Sequence, residues 1–335
     1  MRSGSLWLVV STAGCVATPP DQGPLPVRNQ HPAQLTVQHL EPVAAVTVPK
    51  GELRLRAGLA YTSMFLSEAN LGDSYVMDGE LLRTGVTATV GLSDTVDLQV
   101  ELPTVYASGG FLDGFLIDYH KALGLPDQGR SEVPKNRYQV DAFYQGQEVY
   151  RLQDDELLLA DLPIAVGWSV VRPQPGRPGL LLRAGVELPT GDARKGSGNG
   201  KVDAALGLAS SLPCSYGTWH AFAQHSFAGT PDEVEVTGFR YRDVSSLGLG
   251  LEVGLTDDLA ALVQTEWETS VLGDLDLGDS SGPQWLLWLG GRLAMDENFD
   301  LEFAVGEDLM GYVSADVSFW LSLVWSPGQR RGKGG

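Results

Sequence analysis

Three stretches of the sequence hold side chains whose types and spacing could do chemistry. "QHSFAG" sets His225 beside Ser226, a base next to a nucleophile. A strand presents two such groups on one face only when they are two residues apart, so these neighbours point to opposite faces and read as no catalyst. "GGFLDGFLIDYHKALGLPDQGR" (109–130) carries Asp113 and His120, which a helix would bring to one side with Ile117 between them. Two ligands are too few for a metal centre, and the pair reads as solvated. "TGDARKGSGNGK" (190–201) is glycine-rich and ends on Lys201, yet it lacks phosphate-loop spacing and follows a strand instead of opening a helix. It reads as an outer loop. The chain has two cysteines, Cys15 and Cys214; if Cys15 is acylated or removed, Cys214 has no partner, so the cysteines can build neither a disulfide framework nor a zinc site. The sequence predicts no enzyme, no cofactor and no metal.

Bulk properties narrow the class. A net charge of −19 argues against nucleic acid, since nothing basic and contiguous is available to neutralise phosphates. The hydrophobic share is 43% and the mean hydropathy −0.04, and no run approaches the ~18 apolar residues of a membrane-spanning helix. The 41 glycines and a regular alternation point to strands and turns.

From residue 51 onward the period is two. In "TVDLQVEL", Val96, Leu98, Val100 and Leu102 share one face, while Asp97, Gln99 and Glu101 share the other. "GELRLRAGLAY" and "DVSFWLSLVW" alternate in the same way. A soluble sandwich would bury the apolar face; a transmembrane barrel would turn it to lipid. Segments of about 11–14 residues, with Tyr61, Trp168, Trp219, Trp267, Trp285 and Trp325 near their ends, favour the barrel. "GLSDTVD" (91–97), "GLTDDLA" (254–260) and "AMDENFD" (294–300) are versions of one tight turn and belong on the periplasmic side. A first pass finds thirteen strand-like segments, which would put "GLTDDLA" outside. Treating 138–152 as a hairpin around Gly146 within an outer loop removes that conflict.

The expected fold class is therefore all-β. It is a transmembrane antiparallel up-and-down β-barrel of about twelve strands, with one short amphipathic helix in a long outer loop. The strands are expected near 51–65, 80–92, 95–106, 156–171, 179–189, 200–212, 218–229, 243–255, 259–271, 284–295, 298–308 and 313–325, all within a barrel spanning 51–325. The 107–155 segment becomes an outer loop or plug, opened by a helix over 109–124. In it Leu112, Leu116, Tyr119 and Leu123 share a face, and Gly124 and Pro126 supply the stop. Leu112, Asp113, Phe115, Leu116, Tyr119, His120 and Arg130 are its gate candidates.

Parity also assigns a lumen face. Its acids are Glu52, Asp97, Glu101, Glu187, Asp203, Glu252, Glu266, Glu268, Asp300, Glu302 and Asp316; its bases are Arg54, Arg56, Arg183, Lys201 and Arg292. Acids outnumber bases, as a cation-leaning, water-filled passage requires. The opposed reading is that these charges pair and fill a purely structural barrel.

"ELPTVYASGGFLDGFLIDYHKALGLPDQGR" (101–130), "VMDGELLRTGV" (76–86) and "PLPVRNQHP" (24–32) resemble a family of Gram-negative outer-membrane proteins known only as a domain of unknown function. "VELPTGD" (186–192) is similar to a motif of the outer-membrane channels attached to phenol-degradation pathways. The resemblance implies a barrel in the outer membrane, and brings no substrate and no catalytic residue. The expected function is a passive channel for a small solute, gated or narrowed by 107–155. A non-conducting structural or assembly barrel is the rival, and a lipid hydrolase a third reading. Expected partners are the lipid bilayer with its lipopolysaccharide, the barrel-assembly machinery and a small-molecule solute.

The amino terminus reads as an export signal over 1–17, with Arg2 before the apolar "LWLVV" and small residues after it. Ala13-Gly14-Cys15 matches the end of a lipoprotein cleavage site, though Thr12 stands where that pattern prefers Leu. Acylation of Cys15 and ordinary cleavage after Ala17 are the two alternatives. Residues 18–50 are Pro-rich and polar, a linker or an extended plug; 326–335 form a basic tail. Mass spectrometry of the mature amino terminus separates the two: acyl chains on Cys15, or an unmodified chain starting at Thr18. A mature chain still beginning at Met1 would sink both.

Overall fold

The computed structural model describes residues 22–124, 129–278, 281–309 and 316–327. The expected export signal with Cys15, Pro126 and the tail from 328 onward lie outside the described residues. The strands are β1 Leu53–Ala69, β2 Ser74–Gly91, β3 Val96–Ser108, β4 Gln139–Tyr144, β5 Gln147–Arg151, β6 Leu157–Leu159, β7 Leu162–Val171, β8 Gly179–Leu188, β9 Asp203–Cys214, β10 Gly217–Phe227, β11 Val244–Gly254, β12 Leu259–Glu268, β13 Gln284–Ala294, β14 Phe299–Asp308 and β15 Val317–Trp325. Each pairs antiparallel with its neighbour, and β1 pairs with both β2 and β15, so the sheet closes. Closure matters because an open edge in hydrocarbon would leave backbone groups unpaired.

Twelve wall strands result once two departures are counted. β6 and β7 both lie against β3 and form one strand of the wall, interrupted at Ala160–Asp161. The break has a cause: the Asp161 carboxylate accepts hydrogen bonds from the backbone N–H of Gly191 (2.7 Å) and Asn199 (3.0 Å). The β4–β5 hairpin turns at Gly146, with φ of +75°, and adds only to the outer end of β2. β1 and β2 run farther outward than the alternation alone indicated, to Ala69 and from Ser74, and this overhang is what β4 pairs with.

The three sequence-related turns fold alike. Leu92 donates to Val96 (2.9 Å), Leu255 to Leu259 (2.8 Å) and Met295 to Phe299 (2.9 Å), all at one end of the barrel. The long connections lie at the other end. Outward positions such as Leu59, Val186, Leu249 and Phe303 are exposed as single apolar faces on successive strands, the surface a bilayer would cover. Trp267 faces Trp285 across β12–β13 near the outer ends, while Trp168 and Trp325 lie near the periplasmic ends. Among the described residues no helix is long and apolar enough to cross a membrane. The molecule is a closed antiparallel β-barrel with an apolar outer face.

Its lumen is full. Residues 22–48 precede β1, enter it and are almost entirely buried. Leu25 and Val27 pack with Ala60, Leu262, Trp288 and Trp320 of the wall. Trp288 lies flat across Gly306 of β14, where a Cβ would sit 2.4 Å from its ring, so that glycine is what lets the indole lie against the wall. Above the membrane the bend of this segment (Leu35, Val37) joins the β4–β5 hairpin and the 228–243 and 269–278 loops in one apolar cluster, including Tyr75, Tyr150, Phe239 and Leu272.

The helix α1 is Asp113–Leu123, shorter than 109–124. Residues 109–112 lead into it under constraint, since the backbone N–H groups of Phe111 and Leu112 are held by the Glu80 carboxylate. Gly124, at φ +70°, ends it in the left-handed conformation. Replacing Trp288 with Ala would remove a fully buried indole and lower stability by about 3–5 kcal/mol. The expected outcome is a lower temperature at which the folded band on a semi-native gel converts to the unfolded one; an unchanged conversion temperature would contradict this packing.

Candidate functional site

The candidate site is the contact between residues 22–50 and the lumen wall. The segment climbs from the periplasmic end, bends at a short 3-10 turn over Gln34–Thr36, and descends to β1. On the climb, Arg292 near the periplasmic end of β13 donates to the Gly23 carbonyl (3.1 Å). Asn29 then donates to Glu268 at the outer end of β12 (3.1 Å), and Tyr75 and His31 share a 3.0 Å hydrogen bond. Arg28 ties the bend by donating to the carbonyls of Gln34 (2.9 Å) and Val37 (3.2 Å).

The descending limb is extended yet pairs with no strand ladder over most of its length. Wall side chains satisfy its backbone instead. The Gln38 N–H meets Asp203 (3.4 Å), and the Gln224 amide both accepts from Leu40 N–H (2.7 Å) and donates to its carbonyl (3.2 Å). Ala45 N–H meets Ser211 Oγ (2.9 Å) and Val48 N–H meets Asp97 (3.0 Å). Buried backbone groups must find partners, and here those partners sit on alternate residues of the wall.

Several of the charges are paired locally. Glu41 pairs with Arg56 and accepts from Gln99, while Arg183 donates to its carbonyl (2.5 Å). Arg83 pairs with Glu101 (2.7 Å); Arg292 bridges Glu252 (2.5 Å) and Glu302 (2.9 Å). The alternation placed Asp97, Glu101, Arg183, Glu187, Asp203, Glu252, Glu266, Glu268, Arg292 and Glu302 on this face, and the structure puts them against the segment or against one another. Glu52 and Arg54 lie at the periplasmic mouth, and Asp300 has an interaction partner near it.

The expected cation-leaning, water-filled passage is a correction: Arg28, Arg83 and Glu41 join the balance, and chain fills the space. The cavities beside Arg28, His39 and Phe222 are about 10, 20 and 10 Å³, each with room for a single water. Lys201 is a second correction. It lies in the outer loop before β9 and pairs with the exposed Asp232 (2.5 Å). An open vestibule of about 810 Å³ remains at the periplasmic mouth, bounded by Val43, Arg54, Arg56, Asp97 and Arg183.

The gate candidates stand at the outer rim. Arg130 is buried; it pairs with Asp113 of α1 and with Asp316, donates to Ser63 (3.2 Å), and lies 5.1 Å from the Phe65 ring centre. Asp113 also accepts from Asn136 N–H (2.6 Å). Leu112 caps α1 through its carbonyl, and Leu116 turns inward. Phe115 and Tyr119 stack on each other and are exposed, with His120 tilted against Tyr119, so the expected Leu112–Leu116–Tyr119 stripe does not share one environment. The apolar closure of the outer mouth comes from the β4–β5 hairpin and neighbouring loops, with α1 pinned beside it.

Sequence reasoning missed two clusters whose members alternate inward on the strands but find partners only across strands. Ser211 Oγ lies 2.9 Å from His220 Nδ1, and His220 Nε2 lies 3.6 Å from Glu252. The order resembles a hydrolase triad, yet all three are fully buried, Ser211 is occupied by Ala45, and Glu252 by Arg292. His225 and Ser226 do face opposite ways: Ser226 is buried in the lumen and His225 is on the outer surface with Ser245. The other cluster, His39 with Glu266 and Glu268, depends on residue 39 of the lumen segment and was invisible to strand parity.

The family model described as "Protein of unknown function (DUF3187)" matches residues 5–326. The chain belongs to that family. No curated protein matches its sequence. Among solved structures, the COG4313 outer membrane channel from Pseudomonas putida F1 is similar with a TM-score of 0.56 at 11% identity, covering 86% of this chain and 100% of that one. The translocator domain of the autotransporter NalP from Neisseria meningitidis is similar at 0.42 and 10%, covering 82% and 88%. The P. putida toluene transporter TodX is similar at 0.40 and 11%, covering 89% and 93%. The first likeness shows a shared fold.

The rim clamp generates a pH prediction. Burial raises the Asp316 carboxyl from 3.8 to about 6, against the pull of Arg130. A carboxyl raised in the folded state favours folding below its unfolded value, and that contribution is lost as pH rises through about 6. Protection of α1 from hydrogen exchange should therefore fall between pH 4 and 7 in the parent protein. In Asp316→Asn that dependence should flatten; an identical slope in both would refute the assignment.

Proposed function

We propose that the protein is a solute channel of the outer membrane, closed in this state by residues 22–50 and capped by the outer loops that include 107–155. One observation carries the reading. The lumen is occupied by an extended limb held through wall side chains rather than through a strand ladder, and each such bond is one that water could replace. The vestibule beneath it is lined with arginines and polar groups, the surface of an aqueous path. The likeness to an outer-membrane channel agrees with this class and names no solute. The 107–155 insert serves as the lid: α1 is pinned by Arg130 at the rim while the β4–β5 hairpin covers the opening. Because the lumen wall is amphipathic and polar, a small polar or amphipathic solute fits it.

A non-conducting structural barrel is favoured by one fact, the complete burial of Leu25 and Val27 beneath Trp288 and Trp320. Planar-bilayer recording separates the two readings. The full chain should show little or intermittent current. Deletion of residues 22–48 should give a steady, larger conductance, and deletion of 109–124 a smaller gain. A deletion protein that still shows the folded band on a semi-native gel yet carries no current at any voltage would refute the channel.

A further inference from the structure

Unlike Glu187 and Asp203, four buried lumen carboxylates have an arginine partner: Glu41 has Arg56, Glu101 has Arg83, and Glu252 and Glu302 share Arg292. Glu266 and Glu268 do not. They sit two residues apart on β12, so both project into the lumen, and both are essentially inaccessible to solvent. The group that meets them is His39, from the descending limb. Its Nε2 lies 3.0 Å from Glu266 Oε1 and 3.9 Å from Glu268 Oε2, and one donor atom from each of the three lies within 4.8 Å of the others. Like charges buried side by side repel; the buried Arg28 acts on both through space without a contact ion pair, and a neutral imidazole adds no charge to offset them.

Two further observations point to a missing occupant. Glu266 Oε2 is buried and has no hydrogen-bond partner among the described residues. Gln264, two residues earlier on the same face, is buried with both amide atoms unpartnered. Polar groups in this state are expensive unless something satisfies them. Glu268, in contrast, is already oriented. It accepts from Asn29 (3.1 Å) and Gln34 of the segment and from Ser246 of the wall (3.2 Å), the kind of outer support that fixes a metal-binding carboxylate.

We propose that His39 Nε2, Glu266 and Glu268 bind one divalent first-row transition ion that pins residues 22–50 to the lumen wall. One imidazole and two carboxylates suit zinc, manganese or iron(II), and disfavour calcium and magnesium, which take oxygen ligands. The two carboxylates and the ion sum to zero charge, removing the repulsion. The cross-link joins both limbs to β12, since Glu268 also holds Asn29 and Gln34 from the climb. The small cavity beside His39 shares two lining residues, Gln99 and Arg183, with the periplasmic vestibule. As a latch the site rests on the channel reading; as a binding site it does not.

The test uses the full chain in detergent, stripped with a chelator, then loaded with Zn²⁺ either after folding or during refolding. One Zn²⁺ per chain is expected, with Ca²⁺ not competing. His39→Gln, Glu266→Gln and Glu268→Gln should each weaken binding by more than the ~10–100-fold typical of losing an outer-shell partner. Asp232→Asn, at the exposed outer-loop carboxylate that pairs with Lys201, should bind as the parent does. Bound Zn²⁺ should also slow hydrogen exchange across 34–45. No stoichiometric binding under either loading, or binding indifferent to all three substitutions in proteins that keep the folded band, overturns the site. Unchanged exchange with Zn²⁺ bound overturns the pinning. Absence of current in the bilayer experiment would leave the binding result untouched.

Discussion

The structure depends on how a stretch of extended chain satisfies its backbone inside a barrel whose own backbone is already paired. The wall strands spend their N–H and C=O groups on one another, as closure in a membrane demands. Nothing of the ladder is left for residues 38–48. The partners therefore come from side chains at inward positions: Asp203, Gln224, Ser211 and Asp97 each take a backbone group of the segment. This arrangement explains why the lumen face is so polar. Those residues stand in for an absent neighbouring strand.

The same constraint organises the charges. A lumen of acids and arginines facing water would screen itself, but once filled by chain each charge needs a partner at contact distance. Arg292 illustrates the outcome by spanning Glu252, Glu302 and the Gly23 carbonyl, so one side chain neutralises two strands and anchors the entering segment. Removing either side of such a group would strand a buried charge, which makes the wall and the segment interdependent.

The strand count, the common turn and the outer hairpin were legible in the sequence because each is written in a local period or motif. The alternation of 96–102 and the repeated turns fixed the number twelve, and the same parity marked the face on which Glu252, Glu266 and Glu302 stand. Parity does not say what fills the space they enclose. Residues 22–48 have no period, and their burial follows from partners scattered over 150 residues and more of sequence, such as Gln224 for Leu40 and Glu266 for His39. Arg83 escaped for a related reason: it lies in a strand interrupted by polar residues, and its role appears only opposite Glu101. Asp161 shows the reverse case, where a single inward carboxylate breaks a strand that the pattern reads as continuous.

The two ends of the lumen are closed by different physics, and that asymmetry sets which end can yield. At the outer end, closure is an apolar cluster of tyrosines, leucines and Phe239, and opening it exposes hydrocarbon to water at about 25 cal/mol per Å². At the periplasmic end, the limb from Val43 to Val48 borders the vestibule and is held by single hydrogen bonds from Ser211 and Asp97. Exchanging such bonds for water costs little, on the order of 1 kcal/mol each. Loosening the segment would therefore cost least at the periplasmic side, up to Glu41, with its two arginines, and then His39. The strongest contacts of the descending limb thus lie midway, between the polar mouth and the apolar outer cluster, where each end's closure hands over to the other.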